Sequence, residues 1–182
     1  MPATPVETST LNALQRIIGI IQTQYPGVLS ASEPADLTLI PPMNIHLVDS
    51  EAQCERFPTQ GDCVAFVYKI GPVTTLYTAT GGATHRTERR RFQACVTLYY
   101  SEDIGAAGSE HPISRETRKA HLYTSTLQSC FEKYLRDDND VQDVKFTNDM
   151  PKESNGDGRN LSRGVKLQFD IYQRVLIPVP YG

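Results

Sequence analysis

The sequence predicts an α+β fold: a mixed, mainly antiparallel sheet with two helices packed on one face. Three observations lead there. The elements run helix, three strands, helix, two strands. The strands alternate plainly, and the last shows it best: Val165, Leu167, Phe169 and Ile171 point one way while Lys166, Gln168, Asp170 and Tyr172 point the other. The second helix carries an apolar stripe of Ala120, Tyr123, Leu127, Cys130 or Phe131, and Tyr134. Half-apolar strands and half-apolar helices bury their apolar faces against one another, so the helices form one layer and the sheet the next. At 182 residues the chain is long enough for one sizeable core, and residues 1–182 are expected to form one domain.

Residues 1–8 are rich in Pro and Thr and read as an extended arm. A helix is predicted from Ser9 to Tyr25, with Leu11, Leu14, Ile17, Ile18 and Ile21 on one face, a cap from Thr8, Ser9 or Thr10, and a stop at Pro26-Gly27. In residues 28–62 Pro34, Pro41, Pro42 and Pro58 interrupt the pattern, and only Leu37–Ile40 and Asn44–Val48 look extended. Cys63–Ile70 alternates with Val64, Phe66, Tyr68 and Ile70 on one side, Gly71-Pro72 suggests a turn, and Val73–Ala79 a returning strand. After Gly81-Gly82 a long strand is expected from Arg86 to Tyr100, burying Phe92, Ala94, Val96, Leu98 and Tyr100. A Gly/Ala loop at 104–109 leads to a helix from Ser114 to Leu135, with Ser114 as its cap and Glu116 near its positive end. Val141–Phe146 resumes as a strand, 151–163 is a polar loop, and Gly164–Ile177 closes the fold before a Pro-rich tail at 178–182. The opposite sheet face, with Lys166, Gln168, Thr97 and Tyr99, is expected to meet solvent or a subunit.

Net charge is −3 and pI about 5.8, so the chain as a whole has no basic footprint for a nucleic-acid backbone. The Ile17–Ile21 run is short and broken by Gly19, and neither a signal peptide nor a membrane span is expected. Cys54, Cys63, Cys95 and Cys130 form no C-x-x-C pair, and His46, His85, His111 and His121 stand at no ligand spacing from them. Reduced thiols are expected, although Cys54 and Cys63 are close enough in sequence to close a short loop. No metal or cofactor is expected.

The candidate residues fall in three groups. Asp137, Asp138 and Asp140 (with Asn139 between) fail the calcium-loop pattern, since its sixth position is Gln142 and its twelfth Asn148. They read as a solvated helix end. Asn155 and Asp157, each followed by glycine, mark a hairpin tip able to order against a partner. Arg86, Arg89, Arg90 and Arg91 make one strand end basic, but alternation puts Arg89 and Arg91 on one face and Arg90 on the other. The same parity separates His85 from Glu88, which argues against an acid–base pair. Serine-nucleophile motifs, a phosphate-cradling loop and H-E-x-x-H are missing from the sequence, and an enzyme is not expected.

The strand Arg91-Phe92-Gln93-Ala94-Cys95-Val96-Thr97-Leu98-Tyr99-Tyr100, the helix near Ser114, the closing strand Gly164–Ile177 and the opening helix ending Tyr25-Pro26-Gly27 together resemble the tail terminator and tail-completion (head–tail joining) proteins of long-tailed phages. The resemblance lies in the order and patterning of elements. It implies a structural virion protein made in the host cytoplasm, a homohexameric ring that caps the tail tube and joins it to the neck or connector protein. DNA would only pass through the lumen, and no membrane would be involved. Within that expectation Arg86–Arg91 pairs with acids of a neighbour such as Asp137–Asp140, and the loop bearing Asn155 and Asp157 faces the adjoining ring. The alternative is a small nucleic-acid-binding module using strand 86–91, with Tyr99 and Tyr172 on the outer face to stack on bases.

Overall fold

A computed structural model of the chain describes residues 6–54, 63–80, 85–101, 112–136, 141–153 and 162–178. Its architecture is α+β. The elements in chain order are α1 (Val6–Thr23), α2 (Tyr25–Ala31), β1 (Asn44–Leu47), α3 (Glu51–Cys54), β2 (Cys63–Thr80), β3 (His85–Ser101), α4 (Pro112–Tyr134), β4 (Val141–Glu153) and β5 (Ser162–Pro178). The five strands form one sheet in the order β1-β2-β3-β5-β4; β1 runs parallel to β2 and every other pair is antiparallel. Strands β3 and β4 lie on either side of β5, and α4 crosses between them.

The apolar stripes of α1 and α4 bury against one face of the sheet, as the patterning requires. Ile17 and Ile21 of α1 and Tyr123, Leu127, Cys130 and Phe131 of α4 are fully buried. They meet Ala65 and Val67 of β2, the even residues Phe92 to Tyr100 of β3, and Val165, Leu167, Phe169 and Ile171 of β5. Each large side chain so removed from water contributes roughly 1.5–3 kcal/mol. Aromatic contacts tie the layers: Tyr100 stacks on Tyr123 at 4.7 Å between ring centres, and Phe131 packs on Phe169 at 5.3 Å. Arg16 of α1 donates to the carbonyls of Tyr134 and Arg136 at 3.1 and 3.4 Å, satisfying orphan acceptors at the negative end of α4.

Several boundaries differ from the sequence reading. Helix α1 begins at Val6, so Thr8, Ser9 and Thr10 lie inside it, and residues 1–5 of the expected arm lie outside those described. Pro26-Gly27 does not end the helical region: the chain breaks at Gln24 and restarts as α2 with its proline in the first turn, where a missing N–H costs nothing. Likewise α4 starts at Pro112, which places Ser114 within the helix. The expected turn at Gly71-Pro72 is a bulge inside one 18-residue strand. Gly71 takes φ +67°, a left-handed value glycine tolerates, and the β2–β3 register slips between Ile70 and Thr74 and again between Thr75 and Tyr77. The loop at 104–109, Gly81-Gly82 and the tail beyond Pro178 lie outside the described residues.

Within the proline-broken stretch, the chain between α2 and β1 is a strap along α4. Leu37 and Leu39 enter the main core, Asp36 pairs with Arg118, and the Tyr123 hydroxyl accepts from the Ile40 N–H at 2.9 Å and donates to the Ile40 carbonyl at 3.0 Å. That single phenol satisfies both backbone groups of Ile40, in a segment with no strand neighbour. Tyr25 donates to the Tyr123 carbonyl at 3.2 Å, and its burial holds its hydroxyl well above the ordinary tyrosine range.

The second sheet face is also partly covered, contrary to expectation. Thr97 is fully buried and Tyr99 is 6% exposed. The chain from β1 through α3 crosses to this side, and Val48 and Cys54 close a second apolar cluster on Val64, Phe66, Tyr68, Cys95 and Tyr99. Strand β2 therefore buries both faces over Cys63–Tyr68. Lys166 reaches Glu51 of α3 at 2.7 Å.

Tyr99 lies over Gly164, its register partner on β5. A Cβ at position 164 would stand 2.8 Å from the Leu98 carbonyl oxygen and 3.1 Å from the Tyr99 ring. Backbone cannot yield as a flexible side chain would. Gly164→Ala is expected to destabilise by about 1–3 kcal/mol, read as a lowered urea midpoint at unchanged slope; a midpoint equal to that of the parent would refute this account of the close approach.

Candidate functional site

Strands β2, β3 and β5 are 17 to 18 residues long, or roughly 55 Å at the usual rise. Helices α1 and α4, of 18 and 23 residues, reach only about 27 and 35 Å. The sheet is longer than either helix. The overrun is its far end, β2 from Thr74, β3 up to Arg91 and β5 from Tyr172, held in register by Thr74↔Arg91, Tyr77↔Arg89, Arg89↔Arg174 and Arg91↔Tyr172. Here Glu88, Arg90, Gln173 and Val175 stay buried beside the first turns of α1, while Arg89, Arg91, Arg174 and Leu176 on the other side are exposed. Residues 74–78 of β2 are exposed without exception.

The arginine cluster sits on this overrun, and strand parity divides it as the sequence indicates. On the helix side, Arg90 donates from Nε and Nη2 to one Glu88 oxygen at 2.9 and 2.7 Å, and Arg86 reaches the other at 2.8 Å. The Arg90 and Glu88 side chains are only 6% and 7% exposed. Gln173, opposite Arg90 and 1% exposed, donates to the Ser9 carbonyl at 3.1 Å and accepts from the Ser9 hydroxyl at 3.3 Å. This half of the cluster seals the rim of the core under the first turns of α1. Arg90 is thus held inside the subunit, while the Arg86 side chain stays about half exposed.

On the other side the groups face outward. Arg91 lies 3.4 Å from Asp170, a long pair with Arg91 half exposed. Arg89 of β3 and Lys145 of β4 approach the Tyr172 ring from the strands on either side, each 5.4 Å from its centre. Such cation–π contacts contribute about 0.5–1 kcal/mol when exposed. Asp143 pairs with Arg136 at 3.2 Å. Arg89 and Arg174 stand directly opposite one another, and Tyr77, Leu76 and Leu176 on the same overrun are 58%, 46% and 57% exposed. Sequence reasoning found Arg89, Arg91 and Tyr172 by alternation. It missed Lys145, Arg174 and Tyr77 as members of one group, because only cross-strand register brings them together. Asp137, Asp138, Asp140, Asn155 and Asp157 lie outside the described residues.

A smaller polar group sits beneath α3. The hydroxyls of Tyr68 and Thr97 lie 3.4 Å apart, and Cys95 Sγ is 3.9 Å from Thr97 Oγ1. Burial pushes the Tyr68 hydroxyl and the Cys95 thiol above their usual ranges. Cys130 is pushed up to about 11 by burial. Protonated, buried thiols are poor nucleophiles and poor metal ligands. All four cysteines are free and buried, so Cys54 and Cys63 do not close a loop. Among the described residues no group of three or more His, Cys, Asp and Glu could hold a metal ion, and no described helix is long and apolar enough to cross a membrane.

Two outcomes are expected. Glu88→Ala strands the Arg90 charge at a buried site and should cost about 3–5 kcal/mol in denaturant unfolding; a loss below about 1 kcal/mol, the scale of an exposed pair, would show that Glu88 does not neutralise Arg90 in a buried setting. In thiol titration the folded protein should react slowly at all four cysteines, and complete reaction should follow only on denaturation. Rapid labelling of any one in the folded state would contradict its burial.

Neither protein-family models nor curated protein sequences yield a match to this chain.

Proposed function

We propose that this chain is a structural subunit of a phage tail, a terminator that assembles as a homohexameric ring, caps the tail tube and joins it to the neck or connector. The reading rests on the resemblance in element order, and one observation of the fold supports it best: the strand overrun, covered on its inner side by the start of α1 and exposed along β2 and on its other side. An isolated subunit gains little from strands that carry exposed Leu76, Tyr77 and Leu176 past its own core. A ring subunit gains a stiff, hydrogen-bonded arm with which to reach a neighbour. Ring closure requires one patch to meet a different patch on the next copy, and an arm at one end of the sheet supplies such asymmetry. The ring acts by shape and charge, covering the tube end and presenting a new surface to the connector. No bond is made or broken.

The alternative of a nucleic-acid-binding module draws on the exposed cations of the same face. Its stacking platform is weak, because Tyr99 lies under α3 and Tyr172 is flanked by Arg89 and Lys145.

Light scattering over a concentration series is expected to show a hexamer. Added to polymerising tail-tube protein, the chain should give tubes of arrested length with a ring at one end in electron micrographs. A monomer at every concentration, together with tubes that elongate unchanged, would overturn the proposal.

A further inference from the structure

Arg89 and Arg174 are register partners on the uncovered sheet face, and like charges directly opposite one another destabilise a sheet. Neither forms an ion pair with a described carboxylate, although Arg86, Arg90 and Arg91 close by all do. Arg89 instead leans over Tyr172. The surrounding face holds Lys145, half-exposed Arg91 and exposed Tyr77 and Leu176. Arginine and tyrosine are residue types that concentrate binding energy in protein interfaces. The face is rich in cations on a chain of net charge −3, so the surplus acid lies elsewhere on the molecule. A second copy therefore offers this face an anionic counterpart. A base-stacking polymer finds less, since the cations from both neighbouring strands already occupy the surroundings of the Tyr172 ring.

We propose that the face formed by Arg89, Arg174, Lys145, Tyr172 and Tyr77 docks on an acid-rich surface of a second copy of this chain. The contact is heterologous, cationic sheet face to acidic patch, and it rests on the ring reading above. It assigns the subunit contact to the odd side of β3 together with β5 and β4, and leaves Arg90 to the fold. The opposed pair Arg89 and Arg174 is costly in the lone subunit and relieved when a carboxylate of the neighbour inserts between them.

Arg174→Glu separates this role from a structural one. In the isolated chain the change gives Arg89 an opposite charge across the strands, so the thermal midpoint should hold or rise. Assembly should weaken at least tenfold in light scattering, and raising the salt concentration should weaken the parent assembly in the same sense. The double variant R89E/R174E should weaken it further. If the parent forms rings and both variants form them equally well, the face is not the contact, and the ring reading stands without it. A thermal midpoint in Arg174→Glu below that of the parent, both measured at dilutions where the parent is monomeric, would make Arg174 a folding residue and overturn the assignment. A parent that stays monomeric and leaves tubes elongating unchanged overturns the ring reading itself. Fluorescence anisotropy with a labelled oligonucleotide completes the test: salt-sensitive binding by a monomeric parent, lost in R89E/R174E, would hand the face to nucleic acid.

Discussion

Rise per residue governs this molecule. A strand advances more than twice as far per residue as a helix, so strands of 17 to 18 residues cannot be roofed by helices of 18 and 23. Every other feature of the sheet answers that mismatch. Over the covered half, β3 and β5 present an unbroken apolar face to α1 and α4. At the far end the same backbone ladder continues, and the inner side chains of β3 change from Phe, Ala, Val and Leu to Arg and Glu, with Gln173 and Val175 of β5 buried beside them. The main-chain hydrogen bonds hold the overrun in register, and on its inner side ion pairs and hydrogen bonds join buried Val175. The two slips in β2 sit where the cover ends, and they let an unroofed strand twist without losing its partner.

The second face follows a different economy. The chain between α2 and β1, with prolines at 34, 41 and 42, forms no regular element, so it satisfies its backbone through side chains of its neighbours. Tyr123 bonds both groups of Ile40, Glu33 accepts from the Leu39 N–H at 3.2 Å, and the short β1 borrows β2. Having run along α4 on one side, the chain crosses the sheet edge at β1 and lays α3 on the other side. That crossing buries β2 on both faces at one end while leaving the far end of the same strand exposed. One strand thus belongs to the core and to the surface in turn.

This explains what the sequence disclosed. Period-two alternation in β3 and β5 and the stripe of α4 carried the fold class and the main core, because a half-buried strand and a half-buried helix write their burial into every second or third residue. The parity argument also separated Arg90 from Arg89 and Arg91. Alternation in Cys63–Ile70 was less telling: Val64, Phe66 and Tyr68 look like the buried face, yet Ala65 and Val67 opposite them are buried as well, so the apolar pattern marked two interfaces and read as one. Gly71-Pro72 looked like a turn because glycine with positive φ serves a bulge and a turn equally. Pro26 reads as a break in the sequence, although it sits in a first helical turn, where the missing N–H is harmless. The grouping of Lys145, Arg174 and Tyr77 with Arg89 had no sequence signature, since it depends on strand order and register.

The division of the arginines along β3 ties fold to assembly. Glu88 accepts from two guanidinium groups on the inner side, and its partner Arg90 is too buried to meet another protein without dismantling the rim of the core. Its neighbours one residue away are free of that duty. Alternation therefore lets four arginines within six residues serve two purposes, half neutralised inside and half held outward. The outward half is not neutral. Arg91 has a distant carboxylate and Arg89 an aromatic ring, while Arg174 faces Arg89 across the ladder. In water, screening keeps that repulsion small enough for a sheet with this much backbone pairing to bear. Against a protein surface the water is displaced and the same charges interact more strongly, whether for or against a partner. An acidic surface then gains what the lone subunit forgoes, and a basic one is turned away, which makes the face selective as well as adhesive.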